Sequence, residues 1–275
     1  MFESDELKIY RGANIQITPK IIVTQPTLDQ IERFGEKRYF NAVHTLTAVG
    51  ADLKWQLWDY CNKTDYTKIK DYDLFLQFIY RAVSSKKRIY QELMNNREKY
   101  QKELASISEE ELNEMLINPL ELILQDIDLD DFIICEKENS QLVLYNEARD
   151  IVIDRAVYSQ IVDVVRKIHG LKRNNQMPAN ERTKMDLIDD ARDEAMAAAN
   201  RPYKSILKPL ISALTVKCGM CGDDRIWNMN ISMFFDNLKR ASKIQDAELL
   251  LQGAYSGFAS LKDIDKTRLD WTCDI

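Results

Sequence analysis

The chain has 275 residues and a formal net charge of −6 at pH 7, with 45% hydrophobic and 30% charged residues. That length and balance support a buried core under a charged surface. The acidic charge argues against DNA or RNA as the main partner, because a nucleic-acid binder uses a basic face to displace counterions from phosphate.

Eight Gly and six Pro are few for this length, which favours helices with short connections over a turn-rich β-sandwich. The five cysteines (Cys61, Cys135, Cys218, Cys221 and Cys273) are odd in number and scattered, unlike a disulfide scaffold. The first residues, MFESDELKIYRG, lack the basic-then-apolar order of a signal peptide. No stretch reaches the roughly 18 uninterrupted apolar residues of a membrane span. The expectation is a soluble protein of the cytoplasm, with reduced thiols and no membrane partner.

In chain order, residues 7–24 alternate loosely between apolar and polar, with Gly12 and Pro19 as punctuation. They predict two or three short strands in a small meander. Thr27 and Gln30 fit a capping box, in which each side chain satisfies a free backbone N–H at a helix start. A helix then runs through Leu28, Ile31, Phe34, Tyr39, Val43 and Leu46, and Gly50 ends or interrupts it. A short helix over 51–61 and another over 71–83 follow. Trp55, Trp58, Tyr60, Tyr66, Tyr72, Phe75 and Phe78 crowd this region. Core packing explains them, or else an exposed interface hot spot for which Trp55, Trp58, Tyr66 and Tyr72 are the candidates.

Residues 85–117 differ in character. Lys86 to Lys102 is rich in Lys and Arg, whereas Glu109 to Asp131 holds nine carboxylates and no basic residue. A solvated helical hairpin whose opposite charges attract each other is one account, and a partner-binding arm the other. Residues 132–154 then read as a β-hairpin plus a third strand. Asp154 caps a strong helix with Val157, Ile161, Val164, Val165 and Ile168 on its apolar face, and Gly170 stops it. Arg166, Lys167 and His169 suit its negative end. Further helices are expected over 183–200, 203–216 and 231–252, the last ended by Gly253 and Gly257. The pattern predicts an α+β protein, predominantly helical, with small β-meanders near 7–24 and 131–153 packed on helices. It divides into 1–84 (strands plus helices), 85–130 (a charged helical arm) and 131–275 (strands plus a helical domain).

Each candidate for chemistry meets an obstacle. Cys218-Gly-Met-Cys221 could place two thiolates on one zinc ion, but two further ligands are needed and no second CxxC, CxxH or HxxxH exists. It also resembles a thioredoxin-type redox pair, without the helix that should open directly after it. A plain turn with two free thiols is the simpler account. Asp126, Asp128, Asp130 and Asp131 alternate like a calcium loop, but Asp131 stands where Gly is needed and Lys137 where Glu is needed; an acidic turn before a strand fits better. His44 and His169 are the only histidines: His44 is expected as a packed polar residue and His169 as a helix C-terminal cation. Ser256 sits one place off a G-x-S-x-G elbow, and no phosphate-cradling glycine loop is present.

The segments 8–48 (KIYRGANIQITPK…), 150–175 (DIVIDRAVYSQIVDVV…), 201–214 (RPYKSILKPLISAL) and 250–271 (LLQGAYSGFASLKD…) together resemble proteins from the structural and morphogenesis region of phages and prophages of Gram-positive bacteria. The resemblance spans most of the chain except the charged arm. It implies a non-enzymatic morphogenesis protein, a tail-assembly chaperone or a tail or connector component. Such a protein would bind phage tail or connector proteins, or copies of itself, in the host cytoplasm or in the virion. It implies no catalytic residue and no cofactor. The two other functions left open are a zinc- or redox-dependent module on Cys218 and Cys221, and a nucleic-acid accessory factor using 86–102 and 171–175.

Overall fold

The computed structural model describes residues 5–137, 140–219, 224–258 and 264–272. Two small antiparallel sheets are packed on helices, so the fold is α+β and predominantly helical. The chain begins with a helix, α1 (Asp5–Tyr10), before the hairpin β1 (Ile15–Thr18) and β2 (Ile21–Val23). The meander expected from residue 7 therefore starts later and holds two strands. Alternation misleads at 7–10 because Ile9 is pulled into the core and the Tyr10 hydroxyl donates to Asn237 Oδ1 (3.4 Å), so tertiary docking decides the local conformation.

The Thr27–Gln30 capping box forms as the sequence predicts and starts α2 (Leu28–Phe34). One helix does not then run to Gly50. Gly35 adopts φ 102°, outside the helical region and open to glycine, and splits α2 from α3 (Glu36–Thr47). α4 (Lys54–Tyr60) follows, then a continuous helical run made of α5 (Asp71–Leu74), a π-helical turn (Phe75–Ile79) and α6 (Tyr80–Ala82).

Three short helices come next: α7 (Lys87–Asn95), α8 (Gln101–Ser106) and α9 (Glu109–Glu114). The acidic stretch after them is not solvated throughout. Leu120, Ile123, Leu124, Ile127 and Leu129 are buried, and the backbone of 123–125 runs beside β2, with Thr24 N donating to Ile123 O (2.9 Å) and Gln125 N to Ile22 O (3.0 Å). Apolar residues spaced between the carboxylates make this segment part of the core, so the solvated arm ends near 117.

The second sheet has the order β3-β4-β5 (Ile133–Glu136, Leu142–Asn146, Ile151–Ile153), the hairpin plus third strand read from sequence. Asp154 caps α10 (Arg155–His169) by accepting from Ala156 N and Val157 N, and Gly170 closes it in the left-handed conformation. α11 (Glu181–Ala199), α12 (Leu207–Lys217), α13 (Ile231–Tyr255) and α14 (Lys266–Leu269) complete the chain. α13 runs through Gly253 and stops at Ser256.

One apolar cluster joins the segments. Ile21, Leu28, Tyr39, Phe75, Leu120, Leu144, Val165 and Phe234 all belong to it. α10 is its spine, packed on α3, β1 and α13. Phe75 stacks on Tyr158 with ring centroids 4.1 Å apart. Among the described residues, no helix is long and apolar enough to cross a membrane.

Candidate functional site

Residues 86–117 leave the body and return to it at one place. Lys86 N donates to Met115 O (2.9 Å), which closes the base of this excursion. Asp128, on the buried segment beneath, holds the outgoing strand. Its Oδ1 accepts from Ser85 N (3.2 Å) and from Asp130 N (3.0 Å), and its Oδ2 lies 2.6 Å from Lys87 Nζ. Asp130 Oδ2 accepts from Arg88 N (3.0 Å). Burial pushes the Asp128 carboxyl up, but the hydrogen bonds from Lys87, Asp130 and Ser85 outweigh it and hold the group below its ordinary value. On the returning side, Arg38 on α3 pairs with Glu114 at 3.1 Å. Asp128 and Asp130 thus anchor the base of the arm.

Beyond that anchor the arm buries no residue. Tyr90, Leu93, Met94, Tyr100, Leu104, Ile107, Leu112 and Met115 are half-buried, and Ile89 and Leu116 are exposed. Charge is divided along it. Residues 86–102 carry six basic side chains (Lys86, Lys87, Arg88, Arg97, Lys99 and Lys102) against Glu92 and Glu98. Residues 103–117 carry five carboxylates (Glu103, Glu109, Glu110, Glu111 and Glu114) and no cation. The two blocks do not pair with each other: the arm's only ion pairs with the rest of the described chain are Lys87–Asp128 and Arg38–Glu114, both to the body. Glu111 turns back on Ser108 in a capping box, and Glu92 accepts from the Tyr100 hydroxyl. A hairpin held together by its own opposite charges is therefore not what forms.

A second feature is a cleft of about 420 Å³ between α5 and α10, lined among others by Lys68, Lys70, Arg155, Tyr158, Arg166 and Arg173. Its arginines are already engaged. Arg173 forks onto Asp71 (3.0 and 3.1 Å), Arg155 reaches Asp73 at 3.5 Å, and Arg166 Nη2 donates to Thr47 O (2.6 Å) at the end of α3. These are clamps between elements. Sequence reasoning gave Arg166 only a helix-end role and passed over the other two, although Arg155, Ser159, Val162 and Arg166 fall at helical spacing on one face of α10.

The residues singled out from sequence fall as follows. Tyr66 and Tyr72 are buried, at 4% and 5% exposure, and Trp55 and Trp58 are half-buried against the core. The Tyr72 hydroxyl donates to Ile153 O (2.7 Å). Tyr66 and Tyr72 are therefore core packing and cannot present an interface, whereas Tyr60 of the same cluster is 76% exposed. Cys218 is exposed just past α12; Cys221 lies outside the described residues, as does Cys273. Among the described residues, no three His, Cys, Asp or Glu side chains gather as a metal would need.

His44 is exposed rather than packed. His169 is buried rather than a C-terminal cation: its Nδ1 faces Val165 O (2.7 Å) and its Nε2 faces the Tyr39 hydroxyl (2.7 Å). A carbonyl can only accept, so Nδ1 carries the proton and Tyr39 donates to Nε2. Burial lowers the imidazole to about 4 and keeps it neutral. Ser256 ends α13 and its hydroxyl donates to Gln252 O (2.8 Å), a helix cap with no nucleophile geometry.

Comparison of the chain with protein-family models, with curated proteins and with solved structures gives no match.

Proposed function

We propose that the chain is a non-enzymatic assembly protein that binds partner proteins through the arm at 86–117. The observation behind this is the arm itself. It is tied to the core at both ends, yet it buries none of its own residues and leaves two opposite charge blocks that do not pair with each other. Folding alone does not account for such a surface, because unpaired charge and half-covered apolar groups add little to stability. The resemblance of 8–48, 150–175, 201–214 and 250–271 to phage morphogenesis proteins supports tail or connector proteins as the partners, with the chain acting as a tail-assembly chaperone or as a component of the particle. The basic block alone would also suit nucleic-acid phosphates, but the five adjoining carboxylates would repel them.

The closed base allows a direct test. Residues 88–113 are replaced by a short Gly/Ser linker joining ends that already meet at Lys86 and Met115. The tagged full chain and the shortened chain are each used to capture proteins from infected cells. The full chain recovers a tail or connector protein and the shortened chain does not. Recovery of no virion or assembly protein by the full chain sinks the proposal. Mass spectrometry of purified virions then separates a particle component, which is present, from a chaperone, which is absent.

A further inference from the structure

We infer that one partner of the arm is a second copy of this chain, bound across a two-fold axis with the basic block of each copy on the acidic block of the other. This rests on the partner-binding reading of the arm and names what the arm meets. A two-fold interface must be self-complementary: whatever patch one subunit offers, the other offers the same patch in reverse. The arm meets that condition. Its first part carries Lys86, Arg88, Arg97, Lys99 and Lys102, and its last part carries Glu103, Glu109 and Glu110, with no ion pair between them within the chain. The one molecule certain to present both blocks, in the order that a reversed arm requires, is the chain itself.

Apolar contact is available along the same surface. Ile89 is 51% exposed and Leu116 41% exposed, beside the half-buried Leu93, Met94, Leu104 and Leu112. Exposed ion pairs add little one at a time, so the apolar groups hold such a contact while the charges fix its orientation and exclude the parallel arrangement. The anchor suits this use. Asp128, Lys87, Arg38 and Glu114 keep the arm's base in place, so less freedom is lost when two arms meet.

The test uses the full chain and two charge-swapped variants, chosen at exposed positions that carry no ion pair. One is Arg97→Glu with Lys99→Glu and Lys102→Glu, which makes both parts of the arm acidic. The other is Glu103→Lys with Glu109→Lys and Glu110→Lys, which makes both basic; Glu111 and its capping box are left intact. Mass in solution is measured by light scattering at about 50 mM and at about 1 M salt, where the screening length falls from above 10 Å to about 3 Å. The unaltered chain shows twice its chain mass at low salt and approaches the single mass at high salt. Each variant alone stays at the single mass at low salt. An equimolar mixture of the two variants recovers the doubled mass, because the acidic arm now faces a basic one at both contacts. That recovery also shows that neither variant has simply failed to fold.

The inference is overturned if the unaltered chain keeps the single mass at low salt. It is equally overturned if a doubled mass survives both swaps, or if the mixture fails to recover it. Capture of tail or connector proteins by the same variants separates the two ideas. A chain that is monomeric yet still captures such a protein through its arm overturns the two-fold pairing and leaves the partner-binding reading standing.

Discussion

Lys87 Nζ lies 2.6 Å from Asp128 Oδ2, joining the first residue of an exposed helix to a carboxylate that is 7% exposed. That pair couples the arm to the core. Replacing Asp128 by Ala would strand Ser85 N, Asp130 N and the Lys87 ammonium together. Losing several hydrogen bonds at a buried carboxylate costs about 2–3 kcal/mol. Trypsin should then cut within 86–117 well before the body, whereas the unaltered chain resists longer. Equal cleavage rates in the two proteins would show that Asp128 does not hold the arm. The anchor is also acid-sensitive. Its folded value is below that of the unfolded chain, so its contribution is complete above the unfolded carboxylate range and is lost as pH falls through the folded value.

The Tyr39–His169 pair makes a separate pH prediction. The imidazole is lowered from 6.5 to about 4 by burial. The folded state therefore binds fewer protons than the unfolded state between those values, and stability rises with pH across that window. The contribution is complete above about pH 6.5 and falls away towards pH 4, by about 2 kcal/mol between pH 7 and pH 5. Urea unfolding at the two pH values measures the loss. His169→Gln should flatten the slope while lowering stability at pH 7. A slope that is unchanged in the variant would contradict the neutral, buried imidazole.

Gly50 marks a close approach of backbone to backbone. A Cβ built there would stand 2.3 Å from the carbonyl oxygen of Tyr66, an atom that cannot swing aside as the end of a side chain can. Gly50→Ala should cost on the order of 2–4 kcal/mol through displacement of the 61–67 turn. Gly253, whose Cβ would meet nothing within 4 Å, is the matched control. Gly253→Ala should be neutral or slightly stabilising, since Gly in a helix interior is about 1 kcal/mol worse than Ala. Equal urea midpoints for the two variants would refute the argument.

The features that could be read from sequence are those set by neighbours in sequence. Thr27 with Gln30, Asp154 at a helix start and Gly170 at a helix end each act within one turn, and all three form. The pairing of β3 with β4 likewise follows from two Ile- and Val-rich runs close together in sequence. What stayed hidden depends on distant partners. Residues 7–10 become helical only because Ile9 and Tyr10 find the body. His169 is one residue before a helix end, which suggests a cation until Tyr39, 130 residues away in sequence, occupies its Nε2. The divided charge of the arm was plain in the sequence, but its consequence was not. Whether the two blocks face each other depends on where Lys86, Met115 and Asp128 place the arm's base.

α11 is attached to the body by charge more than by apolar contact. Of its 19 residues, only Lys184 and Ile188 are buried. Arg192 forks onto Asp59 of α4 at 2.7 Å for both contacts and also reaches Asp189 at 2.6 Å. Lys184 Nζ lies 3.3 Å from Asp65 and 2.6 Å from Glu181. The hydrogen bond from Arg192 holds Asp59 below its usual range. Burial raises Asp65, but bonds from Thr67 and Lys184 overcome it and bring the carboxyl to about 2. A double replacement, Asp59→Asn with Asp65→Asn, removes the negative charge from both attachments without changing side-chain size. Hydrogen exchange should then quicken across 181–199 while α10 and α13 keep their protection. High salt should narrow the difference between variant and parent, because screening weakens the parent's exposed pairs. If 181–199 remains as protected in the variant as in the parent, Ile188 and its apolar neighbours hold the helix and the ion pairs are incidental.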